Sequence, residues 1–313
     1  CRRVDSIVNR RTFVALAGGA LLGLFPGLRA QGQAPRRIGF LSAFPRADIE
    51  AFLSLLRPEL DKLGWTYGRN IVFMEPRTTE GRNEHLPSAA GELVAQAPDL
   101  ILVQTVPATR ALMQATKSIP IVMVGVGNPI ELGIVAGFGK PGGNVTGSSV
   151  LANELIFKLL QLLKEAAPRL RSVAIFVNPS NEAAAPLVKQ LRTNPVAFGL
   201  QVQIVEVSGK GDFEAAFAAI RRANTESILL LPEPLIQSNR DAIAGFAQTH
   251  GLPLAVVGSS RSLPASGLIS YGPTTTQYAQ LVASYVDRIL NGAKPGDLPV
   301  EHPRLVPGGG HRL

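Results

Sequence analysis

Cysteine is nearly missing from this chain of 313 residues; Cys1 is the only one. An intrachain disulfide framework and a cysteine-ligated metal site are thereby excluded. Histidine is scarce too. His85, His250, His302 and His311 show no metal-site spacing, and none falls at the end of an expected strand. Charged residues make up only 17% and aromatics 6%. The basic residues are scattered, with no stripe interleaved with aromatics, so nucleic-acid binding has no footprint. No stretch approaches the roughly 20 apolar residues that a membrane-spanning helix needs. What is present is an ordinary globular hydrophobic content of 46%, with 31 glycines and 24 prolines to supply many short loops.

The net charge of +8 is partly a property of the N-terminus. Setting aside Arg2, Arg3, Arg10, Arg11, Arg29 and Asp5 leaves 26 basic against 22 acidic residues, or +4. Residues 1–34 have the three parts of an export signal: the basic start, the apolar segment Phe13 to Phe25, and Leu28-Arg29-Ala30 as a cleavage point before Gln31. Arg10-Arg11-Thr12-Phe13-Val14 also fits a twin-arginine signal, so Sec and twin-arginine export both stand. Either places the mature chain in the periplasm. A lipid-modified cysteine follows its signal, whereas Cys1 precedes this one.

The remainder alternates short apolar runs with helical periodicity. Strands are expected at 37–41, 70–74, 100–103 and 121–124, with helices at 49–63, 86–97 and 107–117 between them. After a glycine-rich seam, Gly125 to Gly147, the pattern restarts. Helices are expected at 154–167, 183–198 (with a break at Pro195), 213–223, 239–250 and 276–290. Strands are expected at 173–177, 201–207, 228–231, 254–257 and 268–271. Fully apolar strands alternating with helices predict parallel sheets covered on both faces. Two such series predict an α/β fold of two Rossmann-like lobes. The first lobe is assigned residues 35–147 and 273–292, the second 148–272 and 293–303, and 304–313 form an atypical tail.

In open parallel sheets, ligands sit beyond the carboxyl ends of the strands. Those ends nominate Ser42, Phe44, Gln104, Thr105, Gly127, Asn128, Ser148, Ser149, Asn178, Glu233, Ser259, Arg261 and Tyr271. The hydroxyls and amides can serve a ligand carboxylate, helped by the helix N-termini that follow; each alone is also a turn or N-cap residue. Glu233, between two prolines, either pairs with a ligand ammonium or is a solvated loop carboxylate. Arg261 either clamps a carboxylate or lies on the surface. Phe44 and Tyr271 either wall the cleft or belong to the core. This set suits hydrogen bonding to a small polar solute and is poor for bond-breaking chemistry, so no catalytic residue, cofactor or metal is assigned. Gly137-Phe138-Gly139-Lys140-Pro141-Gly142 fits G-x-G-x-x-G formally, but Pro141 and Gly143 forbid the helix that a dinucleotide site requires. Asn144-Val145-Thr146 is a glycosylation sequon in pattern only.

Several motifs carry a resemblance. Leu63-Gly64-Trp65-Thr66-Tyr67-Gly68-Arg69-Asn70, Arg77, Glu80-Gly81-Arg82, Leu86 and Ala90-Gly91-Glu92-Leu93-Val94 come first. Ile119-Pro120-Ile121-Val122, Asn128 to Gly133 and Lys140 to Gly147 are central; Ser270-Tyr271-Gly272 and Arg288 to Pro295 are late. Together, over about residues 36–303, they resemble the ABC-transporter substrate-binding family that includes tryptophan/tyrosine-type binding lipoproteins. The resemblance implies a type I periplasmic-binding fold, with a small organic ligand, an amino acid or an aromatic or carboxylate compound, clasped between the lobes. It implies an ABC permease as partner, a monomer, and no enzymatic turnover. A ligand-sensing ectodomain acting on a signalling partner is the alternative. After Pro303 the family continues with a further strand and helix, whereas this chain reads RLVPGGGHRL, which we read as a frameshift or a truncated gene.

Overall fold

The apolar strands assemble as two separate sheets in the computed structural model, which describes residues 34–258 and 267–303. The export signal, Ser259, Arg261 and the tail from 304 lie outside the described residues. The first series comprises β1 (Arg36–Ser42), α1 (Arg46–Lys62), β2 (Ile71–Phe73), β3 (Arg77–Thr78), α2 (Leu86–Ala95), β4 (Leu100–Val103), α3 (Val106–Ala115), β5 (Ile121–Gly127) and β6 (Val145–Val150). Its strands lie in the order β2-β1-β4-β5-β6, with β3 also on β1, all parallel. The period of two along each strand divides its side chains between two cores. Ile38, Phe40, Leu100, Leu102, Val122 and Val124 meet α1. Leu41, Ile101, Val103, Ile121 and Met123 meet α2 and α3.

The second series comprises α4 (Ala152–Ala166), β7 (Ser172–Val177), α5 (Ala185–Thr193), β8 (Val196–Ala197), β9 (Leu200–Glu206), α6 (Phe213–Arg222), β10 (Ile228–Leu230), α7 (Pro234–Ser238), α8 (Arg240–Thr249), β11 (Leu254–Val257) and β12 (Gly267–Tyr271). Its order is β12-β11-β10-β7-β9-β8, parallel except for β8. One core runs through it, with Leu159, Phe176, Leu229 and Val256 fully buried. The chain then returns. α9 (Thr275–Leu290) starts from a Thr274–Gln277 capping box and buries Val282, Tyr285, Val286 and Ile289 against α1 and the first sheet. That is the expected two-lobed α/β architecture.

Four local expectations change. The seam ends in a strand, β6, and its register to β5 shifts between Met123 and Val126. The glycines of Gly142 to Gly147 had masked a strand whose burial is nearly complete. The helix expected over 183–198 breaks at Pro195 as expected, ending at Thr193, but beyond the break Val196–Ala197 form a short strand paired with β9 instead of more helix. Pro232-Glu233-Pro234 is not a plain loop, since Pro234 opens α7. Residues assigned to the second lobe also lie on the first: Ser148 and Ser149 belong to β6, and Leu298 and Val300 pack in the first lobe's cores.

The last described residues run beside β6. Thr146 Oγ1 donates to Leu298 O at 2.7 Å, Glu301 N to Gly147 O at 3.1 Å, and Ser149 N to Glu301 O at 2.8 Å. β6 can lie this close to β5 only because Gly147 has no side chain. With φ +124, an added Cβ would stand 2.5 Å from both the nitrogen and the oxygen of Met123. Replacing Gly147 with alanine is expected to cost about 2 kcal/mol or more and to lower the melting temperature by at least about 4 °C. Gly139→Ala, where nothing lies within 4 Å, is the control and should leave it unchanged. Equal melting curves for the two variants would refute the assignment.

Candidate functional site

The carboxyl ends of the first sheet present a graded set of polar groups. At the end of β1, Ser42 Oγ donates to Gln104 Oε1 at 3.0 Å and accepts from Phe44 N at 3.0 Å. This fixes Gln104, at the end of β4, and leaves its amide N–H groups as donors. Thr105 follows with φ 75, an unfavourable conformation for a β-branched residue. Its neighbours hold it there: Thr109 Oγ1 donates to Thr105 O at 2.8 Å, and Thr105 Oγ1 caps α3 through Ala108 N at 3.4 Å. Phe44 is half-buried beside this edge.

At the end of β5, Gly127 is followed by Asn128 with φ 49, a conformation asparagine tolerates. Asn128 Nδ2 is buried without a hydrogen-bond partner among the described residues, and so is Ser149 Oγ on the adjacent β6. A buried donor left unsatisfied costs about 1–3 kcal/mol. Two of them on adjacent strand ends mark a place where a ligand or water would be stabilising. Ser148 behaves differently. Its hydroxyl accepts from Gly125 N at 3.0 Å and donates to Met123 O at 3.2 Å, filling the register shift between β5 and β6. Both of its hydrogen-bonding roles are thus taken within the first lobe, which makes it a positioning residue.

The second lobe contributes a buried pair. Asn178, at the end of β7, donates from Nδ2 to Glu233 Oε1 at 3.0 Å, while its Oδ1 accepts from Ser180 N and Oγ. Glu233 Oε2 accepts from Ile236 N at 3.0 Å and caps α7. With only 5% of its surface exposed, Glu233 is not a solvated loop carboxylate. Burial pushes its pKa above the usual carboxylate range, against the opposing effect of the Ile236 and Asn178 hydrogen bonds. Tyr271, at the end of β12, is half-buried and packs on the second core.

The sequence-nominated residues therefore fall into two groups on separate sheets. Ser42, Phe44, Gln104, Thr105, Gly127, Asn128, Ser148 and Ser149 belong to the first, and Asn178, Glu233 and Tyr271 to the second. Two further groups were missed. Thr79, 3% exposed, has an Oγ1 without a partner among the described residues, and so has Arg77 Nε; both lie on or just after β3 beside the end of β1. A strand of two residues leaves no periodicity to detect. Among the described residues no three histidine, cysteine, aspartate or glutamate side chains gather as a metal site would require.

Comparison with known proteins places this arrangement. The model of a family described as ABC transporter substrate binding protein matches residues 59–305. A tyrosine-binding protein of Clostridioides difficile is 27% identical over 242 residues, covering 77% of this chain and 68% of that protein. A protein from Streptococcus pneumoniae described as an ABC domain in complex with L-Trp overlays with a TM-score of 0.74 at 22% identity, covering 87% of this chain and 90% of that one. A ligand-free, open substrate-binding protein of Clostridium difficile with adhesive properties, also 22% identical, overlays less well, with a TM-score of 0.58 over 86% of this chain and 89% of that one.

Glu233 gives this site a pH signature. Its folded pKa is raised, so the native state binds more protons than the unfolded state between the ordinary carboxylate pKa and the raised one. Its contribution to stability is thus complete below that window and is lost as pH rises through it. Melting wild type and Glu233→Gln from about pH 4 to about pH 7 should show wild type losing ground relative to the variant with rising pH. A constant difference would overturn the assignment.

Proposed function

The chain belongs to the ABC transporter substrate-binding protein family, and we propose that it is the extracytoplasmic component of an importer, closing two lobes on one small organic ligand. The solute leaves unchanged, and the closed form is what the permease recognises. The ligand class we assign is an aromatic amino acid. The tyrosine-binding relative supports that class. The observation that carries the clasp is the pair of unpartnered buried donors, Asn128 Nδ2 and Ser149 Oγ, on adjacent strand ends of the first lobe.

In this reading Asn128, Ser149 and the Gln104 amide take the ligand carboxylate, with the strained Thr105 turn holding the start of α3 toward it. Glu233 takes the ammonium. Its oxygens accept from Asn178 Nδ2 and Ile236 N, with the Leu235 N–H and the Asn181 side chain as further hydrogen-bonding neighbours, and no cation stands among these described partners to neutralise it. An arriving cation would also offset the desolvation that raises its pKa. Phe44 and Tyr271 wall the aromatic ring. The family's extracytoplasmic setting accords with the export signal read at residues 1–34.

Thermal melting with added L-tyrosine or L-tryptophan tests the reading, because a ligand that binds only the native state raises the melting temperature. At about 100 times Kd the gain is about 2.7 kcal/mol, a rise of several degrees. Asn128→Ala should weaken binding about tenfold. A melting temperature that none of the standard amino acids raises would sink the ligand class. Equal affinity in Asn128→Ala would sink the site.

A further inference from the structure

Two arginines tie the lobes together away from the groups assigned to the ligand. Arg110 projects from α3 of the first lobe. Its Nη2 donates to Leu132 O at 2.6 Å, inside that lobe's own seam, and its Nε donates to Glu182 Oε1 in the turn after β7 of the second lobe. Arg240, at the start of α8 in the second lobe, donates through Nη1 to Asp48 Oδ1 on α1 at 3.3 Å. Its neighbour Asp241 competes only at 4.0 Å. The same edges touch at two more points. Asn83 Nδ2 stands 3.5 Å from Ser180 Oγ. Gly81, φ +88, lies so flat on α7 that an added Cβ would be 3.1 Å from Leu235 Cα.

We propose that the Arg110–Glu182 and Arg240–Asp48 pairs form an electrostatic latch that sets the balance between open and closed lobes and makes closure depend on ionic strength. Both pairs join one lobe to the other, so both are lost when the lobes part. Their side chains are 34–49% exposed, so each is weak and salt can screen it. Arg110 has an advantage over a free surface arginine. Its bond to Leu132 O orders the guanidinium from within the first lobe, so closure immobilises less of the side chain. The closer overlay on the L-Trp complex than on the open relative, at equal identity, accords with lobes drawn together.

The latch is tested without any ligand. Dyes on cysteines introduced at the exposed Ala51 of α1 and Lys189 of α5 report the closed-to-open ratio by energy transfer. At about 20 mM salt, Arg110→Glu should lower that ratio about three- to fivefold. Arg110→Glu with Glu182→Arg should restore it to within about twofold. Raising salt to about 500 mM should shift wild type as the single variant does. Arg240→Glu, with and without Asp48→Arg, repeats the cycle at the second pair. A ratio that ignores both the variants and salt overturns the latch. So does a charge swap that fails to restore closure, since the loss would then come from the Leu132 bond. The inference rests on the two-lobe reading but not on the ligand class. L-Tyrosine titrated into the same samples separates the two, because a latch that behaves as expected in a chain blind to tyrosine refutes the ligand alone.

Discussion

In the first lobe, β5 and β6 approach so closely that Gly147 lies against Met123 with no room for a side chain. The remaining architecture leans on this contact. Ser148 then reaches across to Gly125 N and Met123 O, which fixes the register shift and sets where Asn128 and Ser149 emerge. α9, returning from the second lobe, lays the Tyr278 ring where Gly125 lacks a Cβ. The last described strand-like segment pairs with β6 on its other side through Glu301. The outgoing chain, the returning helix and the final segment thus meet at one junction. A change in strand spacing there would move both lobes at once, whereas a change in any peripheral helix would move only one.

The two lobes bring opposite electrostatic problems to the cleft. The first holds buried donors without partners, an unfavourable arrangement for neutral groups. The second holds a buried carboxylate whose described partners are the amides of Asn178 and Asn181 and the backbone N–H groups of Leu235 and Ile236, with no cation among them. Neither arrangement is what stability alone would select. In the proposed reading, a zwitterion carrying a carboxylate and an ammonium would complement both. The cap that Glu233 forms on α7 also ties this carboxylate to the lobe's rigid frame, so its position does not wait for the ligand.

Most of the architecture was legible in the sequence because apolar strands and amphipathic helices advertise their periods. β1, β4, β7 and β11 lie within one residue of where they were expected. What stayed hidden had physical reasons. β6 was concealed by glycine and serine, residues chosen for close approach and not for strand propensity. β3 is too short to show a period. Glu233 was visible as a residue of interest, but its burial and its partnership with Asn178 join positions 55 residues apart, which no local pattern records. Ser148 and Ser149, adjacent serines in sequence, face different tasks because successive strand residues point to opposite faces. Composition at strand ends finds the neighbourhood of a site; it does not say which hydroxyl is already committed.

A clasp that responds to its solute must hold its lobes apart or together by only a small margin, since a ligand can shift the balance by no more than its preference for the closed state. The contacts between these lobes meet that condition. Among the described residues they include two half-exposed ion pairs, one long polar contact, a glycine laid against a helix and the small Ala183 side chain packed on the first lobe's core. A large hydrophobic interface would shut the cleft irrespective of cargo. Weak, screened pairs at the rim leave the decision to groups within it, where one buried carboxylate and two unpartnered donors gain most from a ligand that spans the gap.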